Sequence, residues 1–164
     1  MPPRSSNVRV GKARNGLGLR ARRQFAAGER IIPITGVVRD AMLVTRTGGS
    51  FADNCFRYGP ETYLDPGDGF GSYLNHSCAP NAAVRKVGHR LHLHALRAIR
   101  RSEEIVMDYS TILGDDDIWT MRCNCGAREC RGRIKRLGAI PAAARERLIA
   151  VGAVPKYIVA TLEG

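Results

Sequence analysis

Over the first two thirds of the chain, apolar and polar residues alternate in short runs, the period of strands that bury one face. Val8 and Val10 open such a run, and Gly16 and Gly18 break it. Ile31, Ile32, Ile34, Val37 and Val38 form β-rich apolar runs around Pro33 and Gly36. Residues 51–74 divide into short strands at Gly59-Pro60 and at Asp65-Pro66-Gly67-Asp68-Gly69, a strong turn signal. Ala83, Arg85 and Val87, then Leu91 to His94, alternate about Gly88 and predict a β-hairpin. Ile105, Val106 and Met107 form another short strand. Residues 41–50 are weakly patterned and fit a helical turn or a loop. The period changes after residue 140. Pro141 suits a first helical turn, Leu148 and Ile149 supply an apolar face, and Gly152 suits a C-terminal cap. Pro155 starts a second short helix through Leu162. This tail reads as a packing element against the domain, with a partner-binding helix pair as the alternative. The pattern Ala21-x-Arg23-x-Phe25-x-x-Gly28-Glu29-x-Ile31 has an echo in Ala95-x-Arg97-x-Ile99-x-x-Ser102-Glu103-x-Ile105. Each reads as a turn that feeds a strand.

The chain has 164 residues, enough for one domain with a small appendage. Its 26 basic residues against 15 acidic ones leave a net charge of +11, which favours acidic partners, nucleic acid among them. No signal-peptide pattern and no apolar run of membrane-spanning length is present, so no membrane association is expected. An intracellular location follows as an expectation, whether cytoplasmic, nucleoid or nuclear, and thiols stay reduced there. Five cysteines in that setting point to metal binding or buried thiols before disulfides.

Cys123, Cys125 and Cys130 lie close enough in sequence to place three thiolates around one ion, and Gly126 relieves the tight turn this demands. A structural zinc site takes four ligands, so one is missing locally. Cys55, Cys78, a histidine or another chain could supply it. Arg122, Arg131 and Arg133 surround the cluster, where positive charge suits a zinc tetrathiolate.

Four motifs in order then carry a resemblance. Asn75-His76-Ser77-Cys78-Ala79-Pro80-Asn81 is similar to the N-H-S-C-x-P-N signature of SET-domain lysine methyltransferases. Gly16-Leu17-Gly18 resembles that family's G-x-G. Ser102-Glu103-Glu104-Ile105-Val106-Met107-Asp108-Tyr109 resembles its G-E-E-L-x-x-D-Y, and Cys123 through Gly132 its post-SET C-x-C-x4-C-R-G. The likeness covers roughly residues 7–133. It implies a mainly β SET fold of small curved sheets with a knot-like core, plus a post-SET zinc segment and short helices. The expected boundaries are 1–110 for the SET domain, 111–138 for the zinc segment and 139–164 for the helical tail.

The resemblance also implies chemistry. Methyl groups would pass from S-adenosylmethionine to the ε-amine of a lysine on a protein substrate. Tyr109 would be the catalytic tyrosine. Asn15, Gly16, Leu17, Gly18, Asn75, His76, Tyr109 and Trp119 would contact the cofactor. Tyr63, Tyr73 and Met107 would line the lysine channel. Cys78, Cys123, Cys125 and Cys130 would hold the zinc, leaving Cys55 a free thiol. Burial in an apolar channel and a neighbouring sulfonium both lower a lysine pKa, so no strong base is required. There are departures from the family pattern. Ser72 stands where arginine is frequent, Asp68-Gly69 where Gly-Asn is frequent, Tyr73 for phenylalanine and Ser102 for glycine. Met107 replaces an aromatic residue and leaves room for more than one methyl. The competing reading is a non-catalytic zinc module of the same fold that binds nucleic acid or a protein partner.

Overall fold

The computed structural model describes residues 4–42 and 54–163. Most of the weakly patterned stretch 41–50 lies outside the described residues. Among the described residues, small sheets account for most of the regular structure. In the first, β1 (Val8–Ala13), β2 (Gly16–Ala21), β10 (Glu104–Met107) and β7 (Asn75–His76) stand in that order. The second is β3 (Arg30–Ile34), β9 (Arg90–Ala95) and β8 (Ala82–Val87). The third is β4 (Val37–Asp40), β6 (Thr62–Asp65) and β5 (Phe56–Gly59), and β11 (Met121–Arg122) pairs with β12 (Arg133–Ile134). The hairpin expected about Gly88 is β8–β9, in register from Ala82↔Ala95 to Val87↔Arg90. Alternation fixes the inner faces. Leu19, Ile31, Val84, Leu91, Leu93, Ile105 and Met107 meet in one core.

The only long-range parallel pairing described joins β7 to β10, with Val106 opposite Asn75 and Met107 opposite His76. Two residues are a short ladder, and the rest of the N-H-S-C-x-P-N segment extends it. The Ser77 N–H donates to the Met107 carbonyl at 2.8 Å. Asn81, 1% exposed, acts as a strand in miniature. Its Oδ1 accepts from the Val106 N–H at 2.9 Å, and its Nδ2 donates to the Glu104 carbonyl at 2.7 Å. Buried backbone groups of β10 are thereby satisfied, as burial requires. This threading brings Asn75 beside Tyr109.

The sequence echo is a structural near-symmetry. Phe25 and Ile99 exchange backbone hydrogen bonds of 2.9 and 3.0 Å at an isolated bridge. About it, the Ala21 and Ala95 backbones each pair with the other unit's turn. Arg23 and Glu29 form an ion pair of 2.7 Å, and so do Arg97 and Glu103. Each glutamate also caps its own turn, Glu29 accepting from Ala26 N–H and Glu103 from Arg100 N–H, both at 2.9 Å.

In the tail, α1 (Ala142–Ala150) and α2 (Lys156–Val159) follow the expected order. Gly152 turns the chain at φ +69°. Leu148 is buried with Ala83, Leu137, Ile140, Ala153 and Ile158, so the tail covers the outer side of β8. Ile149, expected on the same face, is 38% exposed, because neighbours on a helix point about 100° apart. The Tyr157 hydroxyl donates to the Arg57 carbonyl at 2.7 Å and fastens the tail to β5.

The symmetry is broken at one position. Gly28 takes φ +81° without cost, whereas Ser102 is held at φ +67° and is the one described non-glycine residue with positive φ. A left-handed conformation costs an L-residue about 1 kcal/mol. Ser102→Gly should therefore raise stability by about 0.5–1 kcal/mol, part of the relief being offset by glycine's greater freedom when unfolded. Urea unfolding measures it, and an unchanged or lower midpoint would contradict the strain.

Candidate active site

A cavity of about 240 Å³ opens where four distant segments meet. Asn15 comes from the β1–β2 turn, Asn75 and His76 from β7, Tyr109 from the end of β10, and Met121 to Cys125 with Ile134 from the cysteine segment. Gly16 closes the two-residue turn Arg14-Asn15 at φ +83°. Gly18 is needed for closeness: a Cβ there would stand 2.6 Å from Glu104 Oε1 and 2.9 Å from Asn75 Nδ2. Asn75 Nδ2 donates to the Leu17 carbonyl at 3.0 Å and to Glu104 Oε1 at 2.9 Å. Leu17 contributes that carbonyl, while its side chain is 55% exposed.

Tyr109 is held at both ends. Its hydroxyl donates to the Leu74 carbonyl at 2.6 Å, and its N–H donates to His76 Nδ1 at 3.0 Å. Because Nδ1 accepts, the neutral His76 ring carries its hydrogen on Nε2, which faces Cys78 Sγ at 3.3 Å. The ring is neutral: burial pushes its pKa down to about 4, and although Asp108 pulls it upward, Arg131 works with burial. The Tyr109 ring meets His76 edge-on at 5.3 Å and Trp119 at 6.2 Å, the latter tilted by 55°.

The thiols converge from two parts of the chain. Cys78 Sγ and Cys123 Sγ are 3.8 Å apart. A tetrahedral zinc thiolate with Zn–S near 2.3 Å separates its sulfurs by about 3.8 Å. Ligand atoms of His76, Cys78, Cys123 and Cys125 all lie within 4.8 Å of one another. His76 Nε2 carries a hydrogen, however, and so has no lone pair to give a metal. Backbone N–H groups surround the sulfurs: Arg131 N–H reaches Cys78 Sγ at 3.4 Å, Cys78 N–H reaches Cys125 Sγ at 3.5 Å, and Gly132 N–H reaches Cys130 Sγ at 3.4 Å. Burial raises the Cys78 thiol to about 11. Burial acts the same way on Cys125, but the Cys78 and Ala127 N–H groups and the neighbouring thiols outweigh it and bring Cys125 down to about 7. Cys130 is the most exposed of the set, and Cys55 stands apart, its thiol raised to about 11 chiefly by burial.

Two polar links lock the cysteine segment in place. Asn15 and Asn124 bond reciprocally at 3.2–3.3 Å, and Arg14 Nε donates to the Asn124 carbonyl at 2.9 Å. Arg131 grips Asp108 with both guanidinium nitrogens at 2.8 Å and also reaches Ser110 Oγ at 3.1 Å. Asp108 has a fully buried side chain and Arg131 one that is 11% exposed.

The expected channel residues are not on the cavity wall. Tyr63 donates its hydroxyl to Asp117, and Arg57 binds Asp116 and Asp117 beside it. That ion cluster, buried at Arg57 and Asp117, engages the Tyr63 hydroxyl. Met107 is completely buried because Ile105 and Met107 share the inward face of β10. Tyr73 packs half-buried against the main core. Sequence reasoning missed Glu104, Asn124, and the partnership of Asp108 with Arg131. The acidic residue of D-Y and the arginine of C-R-G were both in the quoted motifs, and opposite charges flanking a buried site were the available signal.

The cleft built by these sheets has relatives among known proteins. The SET domain family model matches residues 16–110, and the chain belongs to that family. A histone-lysine N-methyltransferase of Yarrowia lipolytica, H3 lysine-36 specific, is 33% identical over 135 residues, 75% of this chain and 17% of that protein. The chain spans only 5–17% of the length of the first curated relatives it matches. The methyltransferase domain of human histone-lysine N-methyltransferase SETMAR superposes with TM-score 0.63 and 26% identity, over 76% of this chain and 56% of that one. KRYPTONITE, solved with mCHH DNA, an H3(1-15) peptide and SAH, superposes with TM-score 0.60 and 29% identity, over 79% of this chain and 29% of that one.

Removing one partner of a buried, bidentate ion pair strands the other charge. Arg131→Ala should cost about 3–5 kcal/mol in urea unfolding. A loss under 1 kcal/mol would mean that Asp108 is satisfied without it.

Proposed function

We propose that the chain is a protein-lysine N-methyltransferase. The observation that carries this reading is the β7–β10 pairing, which sets Asn75, His76 and Tyr109 on one cavity roofed by the cysteine segment. S-adenosylmethionine would supply a sulfonium methyl for in-line displacement by a neutral lysine amine, and the relatives' names and the SAH in a structural neighbour support that choice. Tyr109, pinned by Leu74 and His76, presents its ring and hydroxyl at the reacting end. Asn15, Asn75 and the His76 backbone hold the cofactor, and Trp119 flanks the tyrosine. Cys78, Cys123, Cys125 and Cys130 hold the zinc, with His76 donating to Cys78 from outside the coordination sphere. The metal would tie the C-terminal wall to the motif that binds cofactor.

The substrate is a protein carrying a target lysine, and the charge argues for one presented on nucleic acid inside the cell. Arg9 and Arg20 lie directly opposite in the β1–β2 register and both run over Gly11. Like charges facing each other on a sheet are destabilising, and no carboxylate pairs with either among the described residues. An anionic partner would relieve them. The same charge favours the second reading, a non-catalytic zinc module on nucleic acid.

Tyr109→Phe separates the two readings. Methyl transfer from labelled cofactor to histones or mixed cell proteins should fall about 10²-fold, the scale for one preorganised polar group at a reacting centre, with cofactor affinity nearly unchanged. A wild-type protein that binds cofactor yet transfers nothing would favour the module. Chelation should release one zinc per chain and lower the melting temperature and the transfer rate together. Undiminished transfer by the metal-free protein would dismiss the clamp and leave the methyltransferase reading standing on Asn75 and Tyr109.

A further inference from the structure

The second sheet gathers cations on the side that faces away from the core. Its register sets Arg30 beside His94 and His94 beside Ala83 in one row, then Pro33 beside His92 and His92 beside Arg85 in the next. Arg90 follows, opposite Val87. Leu91 and Leu93 alternate with the histidines and are fully buried in the core, so these rows point outward. The tail covers one corner, at Ala83. Arg30 and Arg90 are exposed. Arg85 spends only its Nε, on the Gly152 carbonyl at 3.3 Å.

No carboxylate answers these charges. Among the described residues, none of the three arginines takes part in an ion pair. Glu29, next to Arg30 in sequence, is committed to Arg23 and to the Ala26 N–H. The histidines feel the arginines around them. Burial is the main cause that lowers both imidazole pKa values; Arg30 and Arg90 lower His92 further, and Arg85 and Arg30 do so at His94 against the opposing bond to the His92 carbonyl. His92 is 7% exposed, and its Nδ1 has no hydrogen-bond partner. Like charges side by side on a sheet destabilise it, and a buried polar atom without a partner calls for one. An anion would relieve the first and can supply the second.

The spacing says which anion. Arg30 and Arg85 stand on strands separated by β9, about 10 Å apart across the sheet. One phosphate does not span that, whereas a polymer charged at regular intervals does. Arginine's planar fork matches phosphate oxygens. Pro33 and Val87 are the exposed apolar residues of these rows, too few to seat a peptide's side chains.

We propose that the outer face of β3, β9 and β8 docks the phosphodiester backbone of a nucleic acid, with Arg30, Arg85 and Arg90 as phosphate contacts around the histidine pair. The face lies on a different sheet from Arg9 and Arg20, and none of its residues lines the cavity. The inference rests on the nucleic-acid part of the reading above and needs no catalytic step. Backbone contacts carry no sequence information, so binding tolerates any sequence and weakens with salt.

The test measures binding of the full chain to a short DNA duplex of arbitrary sequence, by fluorescence anisotropy over a range of salt. Arg30→Gln/Arg85→Gln/Arg90→Gln should bind about tenfold more weakly than wild type or worse, and flatten the plot of log affinity against log salt by about 2–3. Arg100→Gln/Arg101→Gln/Lys135→Gln removes the same charge from exposed positions elsewhere and should lose no more than about threefold. Because Arg85 touches the tail, Arg30→Gln/Arg90→Gln is measured beside the triple variant and should also lose more than the control. Melting temperature shows that each variant is folded. Equal losses in the face variants and the control would overturn the inference, since the charge would then act diffusely. Tighter binding of polyglutamate than of duplex would overturn it in favour of an acidic protein. A wild type that binds no duplex would overturn the nucleic-acid reading, and this inference with it, while the methyltransferase reading is judged separately by Tyr109→Phe.

Discussion

The two-residue parallel pairing of β7 with β10 is the constraint on which the rest depends. A ladder that short does not hold by itself. It is sustained because Ser77 and the buried Asn81 amide continue it along the backbone of the neighbouring strand. An unpaired buried amide costs more than a hydrogen bond returns, so the segment has one low-energy path. That path carries Asn75 to the cavity beside Tyr109 and Cys78 to the other thiols. The final asparagine of N-H-S-C-x-P-N is thus a fold determinant, and the first lines the cavity.

The remaining wall of the site is attached by polar groups more than by packing. Arg131 reaches back to Asp108, Asn124 to Asn15 and Cys123 to Cys78. Met121, on that wall, is 44% exposed, and Ile118 just before it is 88% exposed. Ile134 is buried there but these two are not, so charge pairing and the clustered thiols supplement packing. His76 joins the two systems, bonding Tyr109 with one nitrogen and facing Cys78 with the other.

Much of this was legible in the sequence. Alternation about Gly88 located β8 and β9, and the end signals located both tail helices. The motif resemblance brought Asn15, Asn75, His76, Tyr109 and the cysteines together, and the structure sets them around one cavity and its clamp. The echo of Ala21–Ile31 in Ala95–Ile105 proved to be a near-symmetric pair of turns. Side-chain direction was not legible in the same way. Period-2 alternation puts Met107 in the core, while its place in the motif says nothing of which way the side chain points. Tyr63 was drawn away by Arg57 and Asp117, whose proximity no local pattern reports. Glu104 and Asp108 read as motif letters until their partners, Asn75 and Arg131, were seen across the fold.

The links that hold the cysteine wall and the tail in place span long stretches of chain. Arg14 finds Asn124 across 110 positions, Cys78 finds Cys123 across 45, and Tyr157 finds Arg57 across 100. Contacts between such distant segments form slowly, because loop closure comes before any reward. A chain emerging from the ribosome can pair β1 with β2 early, yet the roof cannot settle until residues beyond 130 have appeared. The pocket therefore matures late, and a nascent chain stalled before that point would carry the β7 motif with no enclosure around it.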